Sequence, residues 1–152
     1  MLTIREAVSA DAEALCDLYL NHLTEHPPAE SQDMALWRTM LARFGRDPLY
    51  HLLVGETDGK IVSSVTLVVI ENLTHNLRPY ALIENVVTHA GYRGMHYATA
   101  LIQRASEIAA ERGCYKIMLL TGSKKDSTLR FYENCGFNRS DKTGFLKRLS
   151  RE

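Results

Sequence analysis

The stretch that most constrains the fold spans residues 86 to 98: Val86-Val87-Thr88-His89-Ala90-Gly91-Tyr92-Arg93-Gly94-Met95-His96-Tyr97-Ala98. A strand ends here, and a short turn leads into a long amphipathic helix. The first turn of a helix leaves backbone N–H groups without internal partners, and the helix dipole adds partial positive charge. Gly94 lets the backbone approach a ligand, and Arg93 adds a permanent cation. The stretch therefore predicts a phosphate-binding turn, although an ordinary strand-to-helix connection with a surface Arg has the same pattern.

Periodicity and turn residues before this stretch predict alternating strands and helices. The predicted elements are, in order, a strand over 2–7, a helix capped by Ser9, a helix opened by Ser31 and ended by Gly45, and strands over 50–56 and 61–70. Asp58-Gly59 lies between the last two strands, and this pair between apolar runs is typical of a hairpin turn. The N-terminal half therefore predicts antiparallel strand pairing.

The elements after residue 79 complete the prediction. They are a strand over Tyr80–Thr88, a helix ending at Arg112 before Gly113, a strand over 115–120, a helix over 126–134 and a last strand over 145–149. A period of two over 80–88 predicts one face with Leu82, Glu84, Val86 and Thr88, and the other with Ala81, Ile83, Asn85 and Val87. The order β-α-α-β-β-β-α-β-α-β predicts an α/β fold of mixed α+β type, with a central, mostly antiparallel mixed sheet and helices on both faces.

Size and composition favour a single domain over 1–152, and they disfavour nucleic-acid binding and membrane insertion. The 152 residues carry 18 basic and 18 acidic side chains, whereas nucleic-acid-binding proteins usually have a positive excess. The longest apolar run, Ile61 to Ile70, is interrupted by polar residues and is too short to cross a bilayer. The three cysteines are widely spaced, which is typical of reduced thiols. We therefore expect a cytoplasmic protein that binds neither nucleic acid nor membrane.

Three motifs between Tyr80 and Phe137 resemble the GNAT superfamily of N-acetyltransferases. They are Ile83-Glu84-Asn85-Val86-Val87-Thr88, Arg93-Gly94-Met95-His96-Tyr97-Ala98 and Phe131-Tyr132-Glu133-Asn134-Cys135-Gly136-Phe137. That family has a polar strand, then Arg-x-x-Gly-x-Gly/Ala at the head of a helix, and later a Tyr just before Gly-Phe. The order and spacing of the three motifs carry the resemblance, and the predicted element order agrees with it.

The resemblance implies that acetyl-CoA is the co-substrate and that no metal is needed. The residues implied to bind acetyl-CoA are Val86, Val87, Thr88, Arg93, Gly94, Met95, His96, Tyr97, Ala98, Thr99 and Ser127. The sequence departs from the family at two places. His96 replaces the middle glycine of the phosphate loop, and Lys125-Asp126-Ser127 stands where many members have an Asn. A backbone N–H is still present at His96, because every residue except proline has one.

The resemblance also implies direct acetyl transfer to a primary amine without an acyl-enzyme. Glu84 is the candidate general base, since it lies on the strand that leads into the phosphate loop. The alternative is a Glu that is solvated on the strand face or paired in a structural salt bridge. Tyr132 matches the family Tyr near the CoA sulfur and is the candidate general acid, whereas the alternative for it is a packing role at a helix end.

The acceptor amine is less constrained by the sequence. His22, His26 and Tyr80 are the candidate substrate-binding residues, because in this superfamily the first two helices often form a wall of the acceptor pocket. The expected acceptor is a small molecule such as an amino sugar, amino acid, polyamine or antibiotic. Gly113-Cys114-Tyr115-Lys116-Ile117 and Cys135-Gly136-Phe137 are similar to the branch that acetylates glucosamine phosphate. Many members are dimers, so a homodimer is also expected.

Other functions stay open at this point. A protein or peptide amine is an alternative acceptor, and a non-catalytic acyl-CoA-binding module or a scaffold protein is an alternative class. His22-Leu23-Thr24-Glu25-His26 matches the His-x-x-Glu-His pattern of inverted zinc peptidases. Pro27 follows directly and ends the helix, so polar residues at a helix end are the simpler interpretation of that motif.

Overall fold

Among the residues that the structure describes, five strands form one sheet, in which each strand lies beside the next one along the chain. The computed structural model describes residues 1–23, 27 and 31–149, and the chain divides into two compact units, 1–119 and 120–152. All five strands belong to the first unit: β1 Thr3–Glu6, β2 Tyr50–Thr57, β3 Lys60–Ile70, β4 Tyr80–Thr88 and β5 Ile117–Leu119. β1 to β4 pair antiparallel, and β5 pairs parallel to β4. The predicted mostly antiparallel mixed sheet is therefore confirmed.

Helices connect these strands. They are α1 Ala12–Leu18, α2 Met34–Phe44, a short helical turn α3 Thr74–Leu77, and α4 Tyr97–Glu111, with α5 Asp126–Asn134 in the second unit. Three further turns are a 3₁₀ turn Ser9–Asp11, a π-helical turn Tyr19–Leu23 after α1, and a 3₁₀ turn Ala90–Tyr92 after β4. Within the described residues, no helix is long and apolar enough to span a membrane.

Helices cover both faces of the sheet in the first unit. On one face, Val54 of β2 packs in a cluster with Ala12 and Leu15 of α1 and with Leu41 of α2. The next residue, Gly55, faces the other way, and a Cβ built on it would lie 2.9 Å from the Leu101 side chain of α4. Successive strand residues point to opposite faces, so α1 and α2 lie on one face and α4 on the other, as the sequence predicts.

Two predicted helix starts are wrong. Ser9 does not cap the first helix; instead the Val8 N–H donates to Asp11 Oδ2 at 2.7 Å, and Asp11 is held by Arg5. The second helix begins at Met34 rather than at Ser31, because the Asp33 side chain accepts a hydrogen bond from the Leu36 N–H. At both helix starts an Asp carboxylate accepts a backbone N–H, which it does as well as a Ser hydroxyl would.

The predicted last strand, over 145–149, is also wrong. These described residues form no strand, and Phe145 and Leu149 are 91% and 84% exposed. Strand alternation would place Lys147 between Phe145 and Leu149 on one face. Neither face of the segment would be continuously apolar, so burial could not stabilise it as a sheet strand.

Candidate functional site

The centre of β4 contains a bulge that sequence periodicity does not reveal. Thr66 of β3 pairs with Glu84, but Ser64, only two residues away, pairs with Val87 three residues along β4. Asn85 lies in this bulge and has a φ of +52°. Asn tolerates this left-handed region better than most residues. Bulges bend a strand and are common beside active sites.

The bulge reverses the predicted faces of the second half of β4. Before it, Ile83 pairs with Leu67; after it, Val87 pairs with Ser64, which lies on the opposite face of β3 from Leu67. Ile83 and Val87 therefore do not share a face, and the prediction of an unbroken period of two through Thr88 is wrong. One added residue shifts every following side chain to the other side of the sheet.

The second half of β4 also has a free edge within the sheet. β5 pairs with β4 only over Ala81 to Ile83, whereas β4 continues to Thr88. Backbone N–H and C=O groups of residues 84–88 on that edge have no neighbouring strand in the described sheet. Such an edge can pair with an extended amide-containing ligand, as an added strand would.

The turn after β4 presents a run of backbone N–H groups. Gly94 has a φ of +79°, and His96, the residue that caps α4, has a φ of +60°. In the part of the chain that the structure describes, the N–H groups of Gly94, Met95 and His96 donate to no protein acceptor. The first bond inside α4 runs from the Ala100 N–H to the His96 carbonyl at 3.0 Å. The N–H groups of Tyr97, Ala98 and Thr99 are therefore free as well.

This geometry suits an anion. Successive N–H groups beside left-handed residues form a concave site with partial positive charge, and the dipole of the 15-residue helix α4 adds to it. Arg93 is exposed next to this turn. The left-handed conformation of His96 also explains why a glycine is favoured at this position of the family motif, because glycine has no Cβ to strain.

Glu84 lies on the same face of the sheet as a group of hydroxyls. Its partner in the register is Thr66, and two residues further along β3, Ser64 Oγ is 3.2 Å from Tyr19 Oη. Glu84 itself is exposed, whereas Ser64 and Thr66 are buried. Burial raises the pKa of Tyr19, so its hydroxyl stays protonated at neutral pH. Glu84 is therefore a solvent-accessible carboxylate on the face of the sheet that carries these hydroxyls.

Tyr80, at the start of β4, lies in a separate aromatic group. The Lys116 ammonium is 5.2 Å from the centre of the Tyr80 ring and 5.3 Å from that of Tyr115. Tyr80 is four residues from Glu84, which corresponds to roughly 13 Å along a strand. The predicted acceptor residue Tyr80 is therefore at the far end of β4 from the turn that precedes α4.

His22 contacts the turn after β4. Its Nδ1 accepts a hydrogen bond from the Ala90 N–H at 3.2 Å, and its ring lies 4.0 Å from that of His89, centre to centre. The predicted partner His26 and the intervening Glu25 lie outside the described residues. Among the described residues, no group of three His, Cys, Asp or Glu side chains is placed to hold a metal ion.

The second unit contains the remaining predicted residues. Tyr132 is half-buried near the end of α5, with its ring 4.9 Å from Phe131 and 6.3 Å from Phe137. The helix stops because the Phe137 N–H donates to the Tyr132 carbonyl and Gly136 has a φ of +93°. Ser127 is exposed in the first turn of α5. The roles of Tyr132 and Ser127 stay predictions.

Comparison with known proteins decides the family. The model of the acetyltransferase (GNAT) family matches residues 12–137. The chain belongs to the GNAT acetyltransferase family. The match covers β4, the turn, α4 and α5, which carry the motifs on which the sequence resemblance depends. The protein is accordingly an N-acetyltransferase.

Individual relatives agree with this assignment. A glucosamine 6-phosphate N-acetyltransferase of Trypanosoma brucei brucei is 34% identical over 136 residues, covering 90% of this chain and 88% of that protein. A solved structure from Agrobacterium tumefaciens, provisionally assigned as an acetyltransferase, is 37% identical with a TM-score of 0.87, covering 97% and 99% of the two chains. Glucosamine-6-phosphate N-acetyltransferase from Arabidopsis thaliana, at 20% identity and a TM-score of 0.79 over 98% of each chain, has the same fold.

Sequence reasoning missed two features of this GNAT site. The first is the bulge at Asn85, for which the only signal was an Asn in the middle of an apolar strand. The second is the contact of His22 with the turn, which joins residues 68 positions apart. No periodicity or spacing reports such a distant contact.

Proposed function

We propose that this GNAT enzyme transfers the acetyl group of acetyl-CoA directly to the primary amine of an amino sugar phosphate, with glucosamine 6-phosphate as the first candidate. The observation that carries the proposal is the bulged, free-edged half of β4 running directly into the N–H-lined start of α4. One continuous backbone path can thus hold both an amide-bearing arm and a pyrophosphate.

The residues present fit acetyl-CoA. The N–H groups from Gly94 to Thr99 would hold the pyrophosphate, with Arg93 supplying charge, and the free edge at Val86 to Thr88 would pair with the pantetheine amides. His96 offers its N–H as glycine would, and its exposed side chain has room to point away. We also assign Ser127 to acetyl-CoA, because it lies where many family members have an Asn.

The enzyme's own groups then have three tasks. The bound co-substrate supplies an acetyl group activated as a thioester. Glu84 accepts the proton of the attacking amine, directly or through a water, because a protonated amine has no lone pair. Backbone N–H groups near the bulge donate to the acetyl oxygen as it gains negative charge. Tyr132 donates a proton to the departing sulfur.

An amino sugar phosphate is favoured as acceptor by the relatives. The Trypanosoma brucei brucei protein that aligns with nearly the whole chain is named for glucosamine 6-phosphate. His22, His26 and Tyr80 remain our candidates for contacting the acceptor. We further propose that residues 1–152 constitute one acetyltransferase domain, since the family match spans both compact units, and that the enzyme is a cytoplasmic homodimer.

The test is a thiol-release assay with acetyl-CoA and a panel of amines. The matched pair is glucosamine 6-phosphate and glucosamine, which differ only in the phosphate; a polyamine and an N-terminal peptide complete the panel. A bound phosphate makes charge-assisted hydrogen bonds, so kcat/KM should be about 10- to 100-fold higher for the phosphorylated sugar.

Two outcomes would contradict the proposal. Equal kcat/KM for the two sugars would refute the phosphate preference. Tight acetyl-CoA binding with no thiol release for any amine would instead support a non-catalytic acyl-CoA-binding module. Direct calorimetry with acetyl-CoA separates that case from a chain that binds no acyl-CoA.

A further inference from the structure

A pair of contacting histidines connects the π-helical turn after α1 to the turn before α4. His22 lies in the π-helical turn Tyr19–Leu23, which packs against β4. Its ring contacts that of His89 in a tilted arrangement, with centres 4.0 Å apart and planes 43° apart, and the His89 ring meets Tyr92 edge-on at 5.4 Å. π-helical turns are rare and are often found at functional sites. His22 therefore contacts the 3₁₀ turn Ala90–Tyr92, which Arg93 follows directly.

The hydrogen bonds of this pair require both imidazoles to be unprotonated at Nδ1. His22 Nδ1 accepts from the Ala90 N–H at 3.2 Å, and His89 Nδ1 accepts from the Gly91 N–H at 3.0 Å. A protonated imidazole has N–H donors at both nitrogens and can accept neither bond. The positions of Ala90 and Gly91 therefore depend on neutral histidines.

The charges around His22 favour this neutral form. Burial and the charge of Arg93 lower the pKa of His22, as does His89 whenever it is protonated, while Asp17 of α1 opposes them. Asp17 is itself bonded to the Asn21 amide at 2.7 Å. β4 also packs on this π-helical turn and carries Glu84, but the charges that act on His22 are those of Asp17, His89 and Arg93. Protonation would add a cation beside Arg93 and break the bond to Ala90.

We propose that His22 is a positioning residue for acyl-CoA: as a neutral hydrogen-bond acceptor it fixes Ala90 and so holds the Arg93 turn in its binding conformation. This inference rests on the proposed function, because it assigns a role at the same acetyl-CoA site. Acidification that protonates His22 releases Ala90, and acetyl-CoA binds more weakly. His22 thus contributes to acetyl-CoA affinity from the turn Tyr19–Leu23, which lies outside the family's phosphate motif.

The experiment compares two His22 variants that separate the ring from the acceptor. His22→Phe keeps a ring beside His89 but removes the hydrogen-bond acceptor. His22→Asn keeps a hydrogen-bond acceptor near the position of Nδ1 but cannot be protonated. Calorimetry gives the Kd for acetyl-CoA from about pH 5 to pH 8, where a histidine titrates. An amide NMR titration follows the Ala90 N–H without any ligand.

The expected pattern depends on whether residue 22 has a hydrogen-bond acceptor. Loss of one hydrogen bond should raise the Kd of His22→Phe about fivefold at neutral pH. Wild-type Kd should rise on acidification as the Ala90 amide shifts, and His22→Asn should keep the low Kd at acid pH. His75→Asn is the matched control, because His75 also contacts a ring, Tyr115 at 3.9 Å, at a left-handed position that Asn tolerates. It should follow the wild type at every pH.

Several results would overturn the inference. A His22→Phe Kd equal to that of the wild type, or an Ala90 amide insensitive to pH while His22 titrates, removes its basis. The inference also fails if the Kd of His22→Asn for acetyl-CoA rises on acidification as that of the wild type does. If the wild type itself binds no acetyl-CoA, the proposed function fails first, and the amide titration still tests the His22–Ala90 contact by itself.

Discussion

Replacing His96 with glycine tests the strain in the candidate phosphate-binding turn. His96 caps α4 with a φ of +60°, its side chain makes no capping hydrogen bond, and it is exposed. The left-handed conformation costs an L-residue about 1–2 kcal/mol, and His is among the residues that tolerate it best, so we take about 1 kcal/mol. Glycine removes this cost but adds about 0.5 kcal/mol of unfolded-state entropy.

The net effect should be a small stabilisation. His96→Gly should raise the free energy of unfolding by about 0.5 kcal/mol, which is about 1–2 °C in Tm for a chain of this length. Met95→Gly is the matched control, because Met95 is the exposed neighbour and does not have a positive φ. That change should lower the free energy of unfolding by about 0.5–1 kcal/mol, since it adds only unfolded-state entropy.

The assay is paired thermal or urea unfolding of the two glycine variants beside the wild type. The difference between the variants, about 1–1.5 kcal/mol, reports the cost of the left-handed backbone. The Kd for acetyl-CoA should stay unchanged in His96→Gly, because the N–H is retained. Equal destabilisation by both glycines would refute the strain argument, and a weaker Kd in His96→Gly would show that the imidazole itself contacts the ligand.

Three further predictions concern the chemistry and the stability of the fold. Glu84→Gln should lower kcat by about 10²–10⁴-fold while the Kd for acetyl-CoA is unchanged, because a general base acts only in the chemical step. An unaltered kcat would refute the role of Glu84 as general base. Tyr132→Phe keeps the packing on its aromatic neighbours and should lower kcat by about 10²-fold. If an acetyl thioester whose thiol has a lower pKa restores the rate, the variant has lost the proton donor to the departing sulfur. Asp11→Asn should cost about 1–3 kcal/mol at pH 7, since Arg5 donates to both Asp11 oxygens at 2.7 and 2.9 Å. Arg5 holds the pKa of Asp11 below its usual value of 3.8, so this stability is present above that value and is lost as the pH falls through the folded-state pKa; urea unfolding of wild type and variant should therefore converge at low pH, and a constant difference would contradict the pairing.

Much of the fold was predictable because local rules agreed with the tertiary structure. Asp58-Gly59 has φ values of +51° and +72°, as a tight hairpin turn requires. β4 and α5 begin and end at the predicted residues, since Tyr80–Thr88 and Asp126–Asn134 are bounded by strong turn or glycine signals. The strand predicted over 145–149 is absent, because a short run with Lys147 and Arg148 inside it has no apolar face of its own.

The sequence by itself determined the order of the main elements and the strand–turn–helix unit over β4 and α4, since these depend on neighbouring residues and on period. Only the tertiary structure decided the bulge at Asn85, the faces of β4 after it, and the contact of His22 with Ala90. A bulge is set by how β3 and β4 pair, and the His22 contact joins residues 68 positions apart. Both are consequences of long-range packing, which local propensity does not encode.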